Sequence, residues 1–216
     1  MSATLATYRT RIQNSLDDTS SKYTNDIIDE ALRKVLNLFT RANPNIKTAT
    51  HSVTTAGRRQ TITAAGLIAI IQLVHPYDAS VDDPFTYERE DFYQVYENGD
   101  PVIYFSGPDI PQVGEDIYIK YGAAHTIDDL DSAAATTVRD DHEDILVVGA
   151  AGQAAMMRAS GLNEQWGGRP GEMSALMSWG TAQYREFLAF IEEIKQEVTI
   201  PIFPSDYWQL DDWDNV

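Results

Sequence analysis

The sequence predicts an α+β protein that is mainly α: a helix bundle, a β-rich insertion between its second and third long helices, and an extended C-terminal arm. Three observations predict it. Toward both ends, apolar residues recur every three or four positions, the period of one helix face. The middle is rich in Thr, Val and Ile, and prolines 76, 84, 101, 108 and 111 punctuate it. Beyond them, Pro201 and Pro204 prevent the last helix from continuing. The expected organisation is bundle helices in 1–47, the insertion in 48–122, further bundle helices in 123–198 and the arm in 199–216.

Leu5, Tyr8, Ile12 and Leu16 line one face of a short first helix, which Asp17, Asp18, Ser20 and Ser21 break. Thr24 is placed to cap a second helix, with Asp26 in its first turn. Ile27, Ile28, Ala31, Leu32, Val35, Leu36 and Phe39 form its apolar stripe, and Asn43-Pro44-Asn45 ends it. Thr50–Thr55 and Gln60–Thr63, around a Gly57 turn, read as a hairpin. Leu67–Val74 reads as a strand, with a buried helix as the alternative. Phe92–Tyr96 and Val102–Phe105 flank Asn98-Gly99, a pair that accepts the positive φ of a tight turn. Ile117–Tyr121 alternates as a further strand.

An acidic, small-residue connection follows over 123–141. Asp140 and Glu143 have capping-box spacing and predict a third helix over 141–160, ended by Gly161. Gly167–Gly171 reads as a loop. A last helix is expected over 172–197, with Met173, Leu176, Met177, Tyr184, Phe187, Leu188, Ile191 and Ile194 on one face.

The 216 residues suit one domain, or one with an insertion. Asp plus Glu outnumber Lys plus Arg by 33 to 16, for a net charge of −17. Such a surface repels phosphate and anionic lipid, which argues against broad DNA binding but not against letting DNA pass. The chain has no cysteine, so disulfides, thiolate metal sites and cysteine nucleophiles are excluded. No apolar signal segment opens it, and its uninterrupted apolar runs fall short of the ~20 residues that span a bilayer. The expectation is a cytosolic or particle-bound protein without a membrane partner.

Ile145-Leu-Val-Val-Gly149-Ala-Ala-Gly152-Gln-Ala-Ala155 superficially matches a dinucleotide fingerprint, whose glycines admit a pyrophosphate at a helix N-terminus. An acidic cap lies immediately upstream and no βαβ unit surrounds it. One helix whose Gly149, Gly152 and Ala155 permit close packing is therefore expected, with a dinucleotide-dependent oxidoreductase as the alternative. Asp128, Asp129, Asp131, Asp140, Asp141, Glu143 and Asp144 gather around His142, but the Asp-x-Asp-x-Asp-Gly calcium loop is missing. A solvated loop and a favourably charged helix start account for them. His51, His75, His125 and His142 are scattered, and no hydrolase elbow, P-loop or kinase signature occurs. No enzyme, metal or cofactor is expected.

The arm carries no positive charge, yet holds Trp208 and Trp213. It either folds back on its own domain or docks Ile202, Phe203, Tyr207, Trp208 and Trp213 in a partner's pockets.

Three stretches carry a family resemblance: Tyr23-Thr-Asn-Asp-Ile-Ile-Asp-Glu-Ala-Leu-Arg-Lys-Val-Leu, Val113-Gly-Glu-Asp-Ile-Tyr-Ile-Lys-Tyr, and His125-Thr-Ile-Asp-Asp-Leu with Thr136-Thr-Val-Arg-Asp-Asp-His-Glu-Asp-Ile-Leu-Val-Val-Gly-Ala-Ala-Gly-Gln-Ala-Ala. The chain resembles, over most of residues 23–160, the head-to-tail adaptor (connector) proteins of tailed bacteriophages. The resemblance implies a helical bundle with a β insertion, assembled as a homo-oligomeric ring, commonly of twelve copies. It implies docking under a portal protein through the C-terminal segment, with a neck, stopper or tail protein at the other end. The protein would be made in the host cytoplasm and reside at the head-tail junction of the virion. A negative lumen would let DNA slide through without sticking. Gly149, Gly152 and Ala155 are then candidate packing residues of the ring. A tail terminator or minor capsid protein is the alternative within the virion.

Overall fold

The computed structural model describes residues 3–18, 22–80, 86–87, 92–164 and 170–197. The arm, with Ile202, Phe203, Tyr207, Trp208 and Trp213, lies outside the described residues. The chain is α+β and mainly α, with 47% helix against 23% strand. The described residues form two compact units: those up to Pro44 together with His125–Glu197 make one, and those within Asn45–Ala124 make the other.

The helical unit contains α1 (Leu5–Ser15), α2 (Asn25–Ala42), α3 (Glu143–Glu164) and α4 (Pro170–Glu197). The apolar stripes read from the sequence face its core. Leu5, Tyr8 and Ile12 are buried on α1, and Ile28, Ala31, Leu32, Val35, Leu36 and Phe39 on α2. Leu146, Ala150, Ala151 and Ala154 meet them from α3, and Phe187, Ile191 and Ile194 from α4. Thr24 caps α2 as expected, its hydroxyl accepting from the Ile27 amide. Asp140–Leu162 is long and apolar enough, by length and composition alone, to cross a membrane, which its shorter uninterrupted runs do not announce; half of the stretch is buried inside the fold.

Three local expectations are corrected. Asp140 does not cap α3: Asp140–His142 is a 3-10 turn, and the helix begins at Glu143. The Glu143 carboxylate is instead taken by the Ala3 amide at 2.9 Å and by Arg11 at 3.1 Å. Gly161 does not end α3, which runs to Glu164. On α4, Met177 and Leu188 are exposed rather than core, whereas Gly180 and Phe187 on the same helix are packed against α3.

The β unit has two sheets. The first runs β1 (Asn45–Ser52), β7 (Asp116–Ala123), β3 (Leu67–Val74) and β4 (Thr86–Tyr87). The second runs β2 (Arg59–Thr61), β6 (Asp100–Phe105) and β5 (Phe92–Glu97). All neighbouring strands are antiparallel. Leu67–Val74 is a strand, which settles the helix alternative. The β5–β6 hairpin turns at Asn98 and Gly99, with φ of 54° and 92°, as the sequence predicts. The expected hairpin around Gly57 does not form. β1 pairs with β7 and β2 with β6, so both segments find partners far along the chain. The Gln60 side chain ties the intervening loop, donating to the Thr55 and Gly57 carbonyls at 3.0 and 2.7 Å.

Ile117, Ile119 and Tyr121 of β7 point into a core shared with Leu67, Ile70, Leu73, Phe92, Ile103 and Phe105. Side chains of β5 also reach the backbone of β3. The Gln94 amide oxygen accepts from the Ile70 N–H at 2.9 Å, and the Tyr96 hydroxyl lies 2.7 Å from the Leu67 carbonyl. These contacts occupy a stretch of β3 edge that two-residue β4 is too short to cover.

Candidate interaction surfaces

In the helical unit, glycines bring α3 and α4 close together. A Cβ on Gly149 would fall 2.7 Å from the Phe187 ring, and one on Gly152 would fall 2.7 Å from the Gly180 carbonyl oxygen. Ala155 is fully buried beside Gly180. Gly149, Gly152 and Ala155 thus pack against a helix of their own chain. The sequence reading missed Gly180 as their counterpart. A glycine inside a helix costs about 1 kcal/mol relative to alanine, so its place within an apolar run was the available signal. The same geometry removes the dinucleotide alternative on this segment: Gly149 and Gly152 lie inside α3, and side-chain or backbone atoms of α4 occupy the space beside them.

The α3 N-terminus is bound to the first residues of the chain. Besides the Ala3–Glu143 bond, the Thr136 hydroxyl donates to the Ala3 carbonyl at 2.6 Å, and the Leu5 amide to the Asp128 carbonyl at 3.0 Å. Arg11 pairs with both Glu143 and Asp144. Burial, then the Glu143 charge, pushes the Tyr8 phenol far above its ordinary pKa, so it stays neutral. The acidic connection is divided among separate cations: Asp131 pairs with Arg33 and Asp141 with Arg139. Among the described residues no group of three or more His, Asp or Glu is arranged to hold a metal.

The four histidines occupy separate places. His125 directs Nε2 to the Asn43 carbonyl at 2.8 Å and Nδ1 to the Thr137 hydroxyl at 3.1 Å. A carbonyl only accepts, so Nε2 donates to Asn43; Nδ1 also lies 3.2 Å from the Thr137 carbonyl, so its role follows the tautomer. His142 stands edge-on to Phe39 and Phe190. His75 lies 3.0 Å from Glu115. Burial lowers the His51 pKa, partly opposed by Asp116.

Among the described residues, apolar groups reach solvent on both units. Ala159 and Ser160 of α3 and Met173, Met177, Thr181 and Arg185 of α4 line an open groove of about 810 Å³. On the second sheet, Tyr93 is half exposed and stacks on Tyr104, with ring centroids 5.1 Å apart. Beside them, hydrogen bonds from Tyr104 and then Arg59 hold the Glu97 carboxyl below its usual pKa.

No family model matches the sequence, and no curated protein does. Among solved structures, a chain from the neck of an empty GTA (gene transfer agent) particle, computed with C6 symmetry, is 14% identical with a TM-score of 0.29; the match covers 79% of this chain and 87% of that one. A chain from the neck of a native GTA particle, computed with C12 symmetry, is 17% identical with a TM-score of 0.29, over 81% of this chain and 86% of that one. A TM-score this low assigns no function.

Proposed function

We propose that this chain is a structural, non-enzymatic component of a phage-like neck, a head-to-tail adaptor that forms a homo-oligomeric ring between a portal protein and a neck, stopper or tail protein. One observation carries the reading. The stretches that resemble the adaptor family fall on α2, β7 and α3, framework elements of a helical unit interrupted by a β unit. Their glycine and alanine positions build the α3–α4 contact, so the resemblance rests on residues that shape the fold. The ring, with twelve copies as the expected number, takes DNA only as a passing contact. Gly149, Gly152 and Ala155 contribute to it by fixing the α3–α4 pair that neighbouring copies would meet. The domain scheme of bundle helices in 1–47 and 123–198, insertion in 48–122 and arm in 199–216 belongs to the same reading.

In this reading the arm is the portal-binding element, through Ile202, Phe203, Tyr207, Trp208 and Trp213. A buried aromatic anchor commonly costs about 2 kcal/mol or more when cut to alanine, and a ring multiplies the loss through avidity. The test is deletion of 199–216, with circular dichroism to establish that the remainder folds. DNA-filled heads should fail to retain the truncated protein, and tails should fail to join. Normal retention and joining would reject the portal-binding arm. Labelled protein found elsewhere than at the head-tail junction of imaged particles would reject the adaptor reading itself.

A further inference from the structure

β1 is the outermost strand of its sheet, paired with β7 along Asn45–Ser52 without a register shift. Just beyond the strand, the Val53 N–H donates to the Glu115 carbonyl at 2.8 Å, which sets the phase of the ladder. Bonded positions alternate in an antiparallel pair, so Asn45, Lys47, Ala49 and His51 turn their backbone groups toward β7. Ile46, Thr48, Thr50 and Ser52 turn theirs outward, and among the described residues no backbone partner meets them.

Natural edges are usually blunted by proline, by a bulge, by several charges or by a covering element. β1 has no proline and no bulge, and Lys47 is its only charged residue. By contrast, Gln94 and Tyr96 cover the exposed stretch of β3. The edge also lies in a distinctive charge environment. From Ala31 through Tyr77 the chain has no Asp or Glu, although it carries 33 in all. Lys120 stands opposite Thr48 on β7, and Asp116, at the far end, already accepts from the Ser52 hydroxyl at 2.6 Å.

The complement lies in the same sequence. Ser205–Val216 has no proline, no glycine and no positive charge, and it carries Asp206, Asp211, Asp212 and Asp214. Its twelve residues exceed the eight of β1, and Tyr207 and Trp208 favour extended pairing. We propose that β1 is completed by strand addition and that its occupant is the protein's own C-terminal segment, Ser205–Val216. Backbone bonds to Ile46, Thr48, Thr50 and Ser52 supply the attachment, and the Asp residues meet Lys47 and Lys120. In the free protein the contact holds the segment that the neck reading assigns to the portal. That last step alone rests on the neck reading, and the measurement below needs no portal.

The test is amide hydrogen exchange, residue by residue, on the full-length chain and on a full-length variant with Trp208→Pro and Gln209→Pro. Successive N–H groups of a strand point opposite ways, so one of the two prolines must remove a donor aimed at β1. The outward amides of Ile46, Thr48, Thr50 and Ser52 should exchange at least about fivefold faster in the variant, the equivalent of one ordinary net hydrogen bond. Those of Lys47, Ala49 and His51 should be unchanged. Equal outward rates in the two proteins, or an acceleration shared by the inward amides, overturns the proposal.

Discussion

Gly152 and Gly180 bring the backbones of α3 and α4 into contact: a Cβ on either glycine would lie 2.7 Å from the other's carbonyl oxygen. Backbone cannot move aside as a flexible side chain can, so neither position tolerates a larger residue. Gly152→Leu should cost about 1–3 kcal/mol, the usual range for overpacking. Gly161, on the same helix, has nothing within 4 Å of its Cβ position. Gly161→Ala should therefore stabilise by about 0.4–1 kcal/mol, because it restricts the unfolded chain without a clash. Urea denaturation followed by the helical circular dichroism signal checks both signs.

Gln94 substitutes for a strand. Its side chain accepts from the Ile70 amide and donates to the Ile68 carbonyl, at 2.9 and 3.3 Å. Gln94→Leu keeps the volume but leaves both backbone groups without this partner. The expected loss is about 1–3 kcal/mol. Faster exchange at the Ile70 amide would locate it.

Arg9 grips Asp29 with two bonds, Nε to Oδ1 at 2.8 Å and Nη2 to Oδ2 at 2.6 Å. Asp29 is only 8% exposed, so removing the guanidinium strands a carboxylate that water barely reaches. Arg9→Ala should cost about 1.5–3 kcal/mol. Adding Asp29→Ala should cost less than its single effect, and a double-mutant cycle measures the difference.

The β unit should weaken in mild acid through His51. Burial favours the neutral imidazole, so its folded pKa lies below the ordinary value. The unfolded chain then binds more protons as pH falls, and linkage makes stability fall with it. The contribution is complete above the ordinary histidine value of about 6.5 and is lost as pH drops from there through the folded pKa. An NMR titration should place the His51 midpoint below that of an unstructured histidine. His51→Gln should flatten the pH dependence of β-unit melting over that window.

The helices were legible because their stripes report burial locally. Ile28, Leu32, Val35 and Phe39 share one face whatever packs on it. The Asn98-Gly99 turn was legible for a related reason, since positive φ is a local demand. The errors fell where a distant residue outcompeted a local partner. Glu143 has capping-box spacing from Asp140, but its carboxylate serves the Ala3 amide, 140 positions away. Thr50 and Gln60 flank a credible turn, yet they pair with Tyr118 and Ile103. At the glycine contact, the small residues of α3 announced a close approach. Gly180 on α4 announced only half of one, and nothing in the spacing joined the two.

The β unit begins and ends at neighbouring points. Asn45 pairs with Ala123, and just outside that pair His125 donates to the Asn43 carbonyl. Entry and exit are thus fastened together, as at the neck of a drawstring bag. To the helical unit, the long excursion between them imposes the end-to-end constraint of a tight loop. A segment tied off in this way can be lengthened, shortened or exchanged for a short connector without altering the ends that α2 and α3 must accommodate. The helical framework therefore constrains how far apart the two ends of the insertion lie, and not the length of chain between them.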